Sequence, residues 1–170
     1  SPIGGADTVE QQMKSAVAKI GENIQLKRFL RFDPPPGGGG RTGFYVHPPG
    51  RIGVLMELAG VPAGSESGAE ALARDLSMQV AAMNPLAVSP EEIPAEVRER
   101  EEAVYRVQAR DKPPQVVEKI VKGKMESFFS ERCLVRQPFV KDANVKVQAH
   151  IQSVLPSASV RRFVRVEVGA

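Results

Sequence analysis

Residues 43–58 read GFYVHPPGRIGVLMEL. An alternating apolar run ends at His47, turn residues follow, and a second apolar run begins at Ile52. Alternation with a period of two is the signature of a strand with one buried face. HPPGR, residues 47–51, has the chemistry of a hairpin connection. The stretch therefore predicts an antiparallel β-hairpin, with His47 at its turn. As a catalytic base His47 would need a nucleophile or a carboxylate pair beside it. Its surroundings offer only Tyr45 and Arg51, so His47 is read as a turn residue or an interface contact.

The composition is that of a soluble globular chain. Of the 170 residues, 25% are charged and 42% hydrophobic, with 23 Lys and Arg against 20 Asp and Glu. The net charge of +3 does not by itself point to nucleic acid. The apolar runs are strand-sized, so no membrane span is expected. The opening SPIGGADTVEQQ is polar and lacks the form of a leader peptide. One cysteine, Cys133, excludes an internal disulfide, and one Cys with two His argues against a zinc site. No cofactor-binding or metal-ligating constellation is read.

Moving outward, residues 1–8 read as disordered. A short helix follows, capped by Thr8, with Met13, Val17 and Ile20 on one face and Gly21 ending it. NIQLKRFLRFD, residues 23–33, alternates as a strand. PPPGGGG, residues 34–40, is a linker and not a phosphate cradle, because no Gly-Lys-Ser/Thr and no helix follow it. Beyond the hairpin, SGAEALARDLSMQVAAMNP is an amphipathic helix with Leu72, Leu76, Val80 and Met83 on one face. A helix starting near Pro94 carries a sparse stripe of Val97, Val104 and Val107. After DKPPQ a second helix carries Val117, Ile120, Val121, Met125 and Phe128. Two such helices joined by a short turn predict an antiparallel coiled-coil-like hairpin over 95–131. LVRQPFVKD then reads as extended, NVKVQAHIQSVL as a short helix, and SVRRFVRVEVGA as a final strand.

An internal repeat is visible. LKRFLRFD (26–33) and VRRFVRVE (160–167) share the order apolar, basic, basic, Phe, apolar, Arg, apolar, acid. Each follows a short helical segment, so one helix–strand unit is read as used twice. The expected division is 1–33 as the tail of a first core repeat and 34–40 as a linker. A second core repeat covers 41–94 and 132–170, with the helical hairpin 95–131 inserted. The fold class is α+β: a small antiparallel sheet packed with helices, plus that hairpin. Its narrow seam and dense charge suggest an exposed docking arm.

Taken in order, AKIGENIQLKRF, FYVHPPGRIGVLMEL, LARDLSMQVAAMNP, VEKIVKGKMESFFSERCLVRQPFVKD and VRRFVRVEVG resemble the elongation factor Ts family. The resemblance covers nearly the whole chain from Met13. It implies a duplicated α+β core with an inserted helical hairpin. It also implies guanine-nucleotide exchange on elongation factor Tu, a translation-elongation function in which the factor itself makes and breaks no bond. Ile20 and Gly21 carry over as partner contacts from the KIGEN turn. His47 carries over from the histidine preceding the GRIGV strand, with Pro49 and Arg51 beside it. The expected correspondence is to the carboxy-terminal core, without the family's ubiquitin-associated-like module and without its Thr-Asp-Phe signature. The expected compartment is a bacterial cytoplasm, a plastid stroma or a mitochondrial matrix, and an open sheet edge leaves room for a homodimer.

Other readings stand beside this one. A structural or ribosome-associated remnant would keep the fold without exchange. A sheet face combining Lys27, Phe29 and Arg31 with Arg161, Phe163 and Arg165 could bind single-stranded RNA by stacking and charge. His150 is read as a solvent-facing helix residue, and Cys133 as a small buried apolar side chain.

Overall fold

The structure is a computed structural model that describes residues 7–33 and 39–169. Residues 1–6 of the start expected to be disordered and residues 34–38 of the linker lie outside the described residues, whereas Thr8 is described and caps the first helix. The chain divides into two compact units, residues 1–31 and 32–170.

The first unit is helix α1, Val9–Ile20, and the segment that follows it. A reciprocal capping box starts the helix. The Gln11 amide donates to the Thr8 hydroxyl at 3.2 Å, and the Thr8 amide donates to the Gln11 side-chain oxygen at 2.7 Å. Gly21 ends it at φ 78°, with its amide bonded to the Val17 carbonyl. Val9, Met13 and Val17 of α1, with Ile24 and Leu26, line an open groove of about 640 Å³. The strand expected over 23–33 is not formed: the described residues there have no ladder. Leu26, Phe29 and Leu30 are exposed. An alternating pattern becomes a strand only where a neighbouring strand takes up its backbone groups.

The second unit is α+β. β1 (Gly40–His47) and β2 (Ile52–Ala59) form the expected hairpin, paired from Gly40↔Ala59 to His47↔Ile52. β5 (Ser159–Glu167) pairs antiparallel on the other side of β2, giving the order β1-β2-β5. Helix α2 (Glu66–Met83) covers one face. Its buried Leu72, Leu76 and Val80 meet Val54, Met56 and Leu58 of β2 in the main core. Met83, expected on that face, is instead largely exposed, since it sits in the last turn, beyond the core. Gly43 lets α2 approach closely, because a Cβ there would lie 2.5 Å from the Ala73 Cβ.

Helices α3 (Ala95–Gln108) and α4 (Pro114–Arg132) follow α2. They share a small separate core in which Val121, Met125 and Phe128 are buried and Val97, Tyr105 and Phe129 pack against them. The expected α3 stripe is corrected: Val104 and Val107 are exposed, and the seam passes through Tyr105. Steps of four residues along Val97, Glu101 and Tyr105 keep one face toward α4. The base of the hairpin is stitched by backbone bonds, Leu86 N–H to the Arg132 carbonyl (2.8 Å) and Leu134 N–H to the Ala87 carbonyl (3.0 Å).

β3 (Pro138–Phe139), β4 (Asp142–Lys146) and α5 (Val147–Val154) complete the unit. The helix read over this region is in part the strand β4. His150 is half-buried and stacks on Phe139 with ring centroids 4.0 Å apart, so its reading as a solvent-facing residue is also corrected.

A β-bulge between Glu57 and Leu58 shifts the β2–β5 register. It turns two consecutive arginines toward one carboxylate. Arg161 Nη1 donates to Glu57 Oε1 at 2.9 Å and Arg162 Nε to Oε2 at 2.6 Å. The Glu57 side chain is fully covered by its neighbours. The Phe32 ring lies over the Arg162 guanidinium at 4.1 Å. Arg165 is turned to the Ala81 carbonyl and Glu167. The RNA-binding sheet face expected from sequence requires residues 27–31 as a strand, and the described residues there form none. The β5 cations are engaged within the unit.

Burial raises the affinity of the Glu57 carboxyl for protons, but the two guanidiniums outweigh it and hold the group below its ordinary 4.5. A carboxyl depressed in the folded state contributes stability above its unfolded value, and the contribution disappears as pH falls through the folded value. Glu57→Gln is expected to cost about 1–3 kcal/mol at pH 7. Its unfolding free energy should fall less steeply than that of the parent chain below about pH 4.5. Denaturant titrations of both proteins across that range check this.

Candidate partner-binding turn

Residues 47–51 connect β1 to β2. The Pro48–Pro49 peptide is cis, and the Gly50 amide donates to the His47 carbonyl at 2.7 Å, closing the turn. Gly50 has φ 103°, a left-handed conformation that favours glycine, and a Cβ there would meet nothing within 4 Å. Local sequence explains the shape: two prolines remove amide donors and a glycine takes the positive φ. The turn is anchored from beneath, because the Arg51 carbonyl accepts from the Val168 amide at 2.8 Å, tying it to the end of β5.

His47, Pro49 and Arg51 are all exposed and share this turn. His47 Nδ1 lies 3.1 Å from the Tyr45 phenol oxygen, the two residues sharing one face of β1. That bond sets the ring's orientation and leaves its other nitrogen open. In the sequence Tyr45 stands only as a neighbour of His47, and the i,i+2 spacing on a strand is the signal that the two side chains meet. Ile20, 59% exposed, and Gly21 stand together at the end of α1, in the other unit. The five residues thus form two local groups.

The turn offers a mixed surface: an imidazole, a rigid proline pair and a guanidinium on a backbone fixed at both ends. It can make hydrogen bonds and apolar contacts with a macromolecule. Among the described residues the imidazole's hydrogen-bond partner is the Tyr45 phenol, and no three His, Cys, Asp or Glu side chains are grouped to hold a metal ion. No described helix is long and apolar enough to cross a membrane.

The sequence profile of the family described as Elongation factor TS matches residues 1–170. This chain belongs to the elongation factor Ts family. Elongation factor Ts of Alkalilimnicola ehrlichii is 46% identical over 159 residues, which cover 92% of this chain and 50% of the relative. The protein of the same name from Symbiobacterium thermophilum is 41% identical over 165 residues, 92% of this chain and 54% of its own length. That from Aquifex aeolicus is 41% identical over 164 residues, 95% and 54% respectively. The chain spans about half the length of these curated relatives.

The single thiol stands apart from this surface. Cys133 is fully buried at the hairpin base. Burial pushes its pKa up to about 11, Arg136 only partly offsets this, and Glu91 and Glu92 add to it. At pH 8 about one thiol in a thousand is ionised in the folded chain. Alkylation of Cys133 at pH 8 is therefore expected to proceed only through unfolding. Its rate should rise with denaturant in parallel with the unfolded fraction, as mass spectrometry of quenched samples would show.

Proposed function

We propose that the chain binds elongation factor Tu and promotes release of its GDP, as a guanine-nucleotide exchange factor in translation elongation. The single observation that supports this reading is an anchored, solvent-exposed His47 turn in a chain of the elongation factor Ts family. His47, Pro49 and Arg51 act as one contact group, and Ile20 with Gly21 as a second. The helical hairpin of α3 and α4 serves as an additional arm. Residues 1–33 are the tail of one core repeat, and 41–94 with 132–170 form the other. The proposed setting is a bacterial cytoplasm.

The energetics require no chemistry on the factor. A protein that binds the nucleotide-free GTPase more tightly than the GDP-bound form weakens GDP binding by the same factor. A coupling of about 3 kcal/mol corresponds to roughly 150-fold. The contact group must therefore be preorganised, so that its binding energy is not spent on ordering the turn. The Gly50–His47 and Val168–Arg51 backbone bonds supply that order.

Release of a fluorescent GDP analogue from elongation factor Tu tests the reading. The chain should accelerate release, and His47→Ala should reduce the acceleration about tenfold, within the range of a contact residue at an interface centre. Thermal stability should change by less than about 0.5 kcal/mol, because His47 is exposed. An unaltered rate with His47→Ala would remove His47 from the contact surface.

A further inference from the structure

The two edges of the main sheet are built differently. β5 carries Arg161, Arg162, Arg165 and Glu167, and the β-bulge falls on its pairing with β2. Charges and bulges are the devices by which natural sheets keep an edge from pairing with another chain. β1 has no bulge and a single charge. Its eight residues pair with β2 in unbroken register. Its one charged side chain, Arg41, stands near the start and turns to Glu66 of α2 at 3.6 Å. Among the described residues no strand pairs with the outer edge of β1.

A groove of about 650 Å³ runs along that edge, between the backbone of Thr42–Val46 and the side chains of Glu70 and Arg74 on α2. Glu70 and Arg74 lie one helical turn apart, and both are exposed. Among the described residues neither forms an ion pair or a side-chain hydrogen bond. On the opposite face of the sheet, Phe44 is 72% and Val46 55% exposed. Two charges one helical turn apart are separated by about 6 Å, the spacing of alternate residues on an extended strand.

We propose that the outer edge of β1 accepts an extended peptide segment as a fourth strand, recognised by its backbone and by alternating side chains. The segment carries a basic residue facing Glu70 and an acidic residue facing Arg74, two positions apart. The residues between and beside them are apolar and lie over Phe44 and Val46. Strand addition draws affinity from main-chain hydrogen bonds and specificity from alternate side chains, and the groove offers both. A second copy of the chain fits less well. Its β1, GRTGFYVH, carries no acidic side chain to face Arg74.

Selection of nonapeptides from a random display library against the immobilised chain tests the proposal without any GTPase present. Recovered peptides should alternate apolar residues with one basic and one acidic residue two apart. A synthetic peptide of the recovered sequence should slow amide hydrogen exchange of Thr42–Val46 at least tenfold at saturation. The double variant Glu70→Arg with Arg74→Glu changes only exposed side chains. It should bind that peptide at least fivefold more weakly and recover with the charge-swapped peptide. Recovery of no peptide, or binding that leaves exchange at 42–46 unchanged, would overturn the proposal. So would self-association of the chain through β1, seen by sedimentation and by protection of Thr42–Val46 in the absence of peptide.

Discussion

The pairing of β2 with β5 is the constraint on which the second unit depends. It joins residues 52–59 to residues 159–167, closing a loop of about a hundred residues that contains α2, the helical hairpin, β3, β4 and α5. Closing so long a loop costs chain entropy that non-local contacts must offset. Three features do so here. Apolar side chains of β2 and β5 meet α2 in the main core. The two arginines of β5 grip the covered carboxylate of Glu57. The end of β5 is fastened under the turn, where the Val168 amide meets the Arg51 carbonyl. The last contact also makes the candidate contact surface dependent on a strand more than a hundred residues away.

A second set of contacts settles where the hairpin leaves the unit. The Gln79 side chain of α2 donates to the Gln137 oxygen and to the Pro138 carbonyl, both at 3.1 Å, and accepts from the Val140 amide at 2.6 Å. Gln137 in turn donates to the Glu131 carbonyl at 2.7 Å, at the end of α4. Both glutamines are fully buried, and a network whose members are all satisfied holds a single arrangement. Through it α2, which is fixed on the sheet, also fixes the end of α4. Any arm function of the hairpin then rests on the same core as the turn.

Much of this was legible in the sequence wherever the signal is local. The β1–β2 hairpin followed from its alternation and turn residues, α1 from Thr8 and Gly21, and α2 from its apolar stripe. What escaped reading depends on distant partners. Glu57 interrupts the apolar run of LMELA, and nothing nearby reveals that Arg161 and Arg162 reach it across a bulge. The stretch 23–33 has the pattern of a strand, yet a pattern cannot supply the neighbour that a ladder needs. Val104 and Val107 looked like the α3 seam because they are apolar, whereas Tyr105 takes the seam position and its hydroxyl keeps company with Glu101. His47, Pro49 and Arg51 lie in the hairpin turn that HPPGR predicts, and their proposed partner comes from family membership.

The central claim is that this chain grips elongation factor Tu through the turn at 47–51 and the end of α1. The most direct measurement is amide hydrogen exchange of the chain, free and with nucleotide-free elongation factor Tu. The account predicts slowed exchange in peptides spanning 47–53 and 19–22, with the hairpin affected less. Binding that protects only the hairpin, or leaves both turns exchanging as in the free chain, would contradict it.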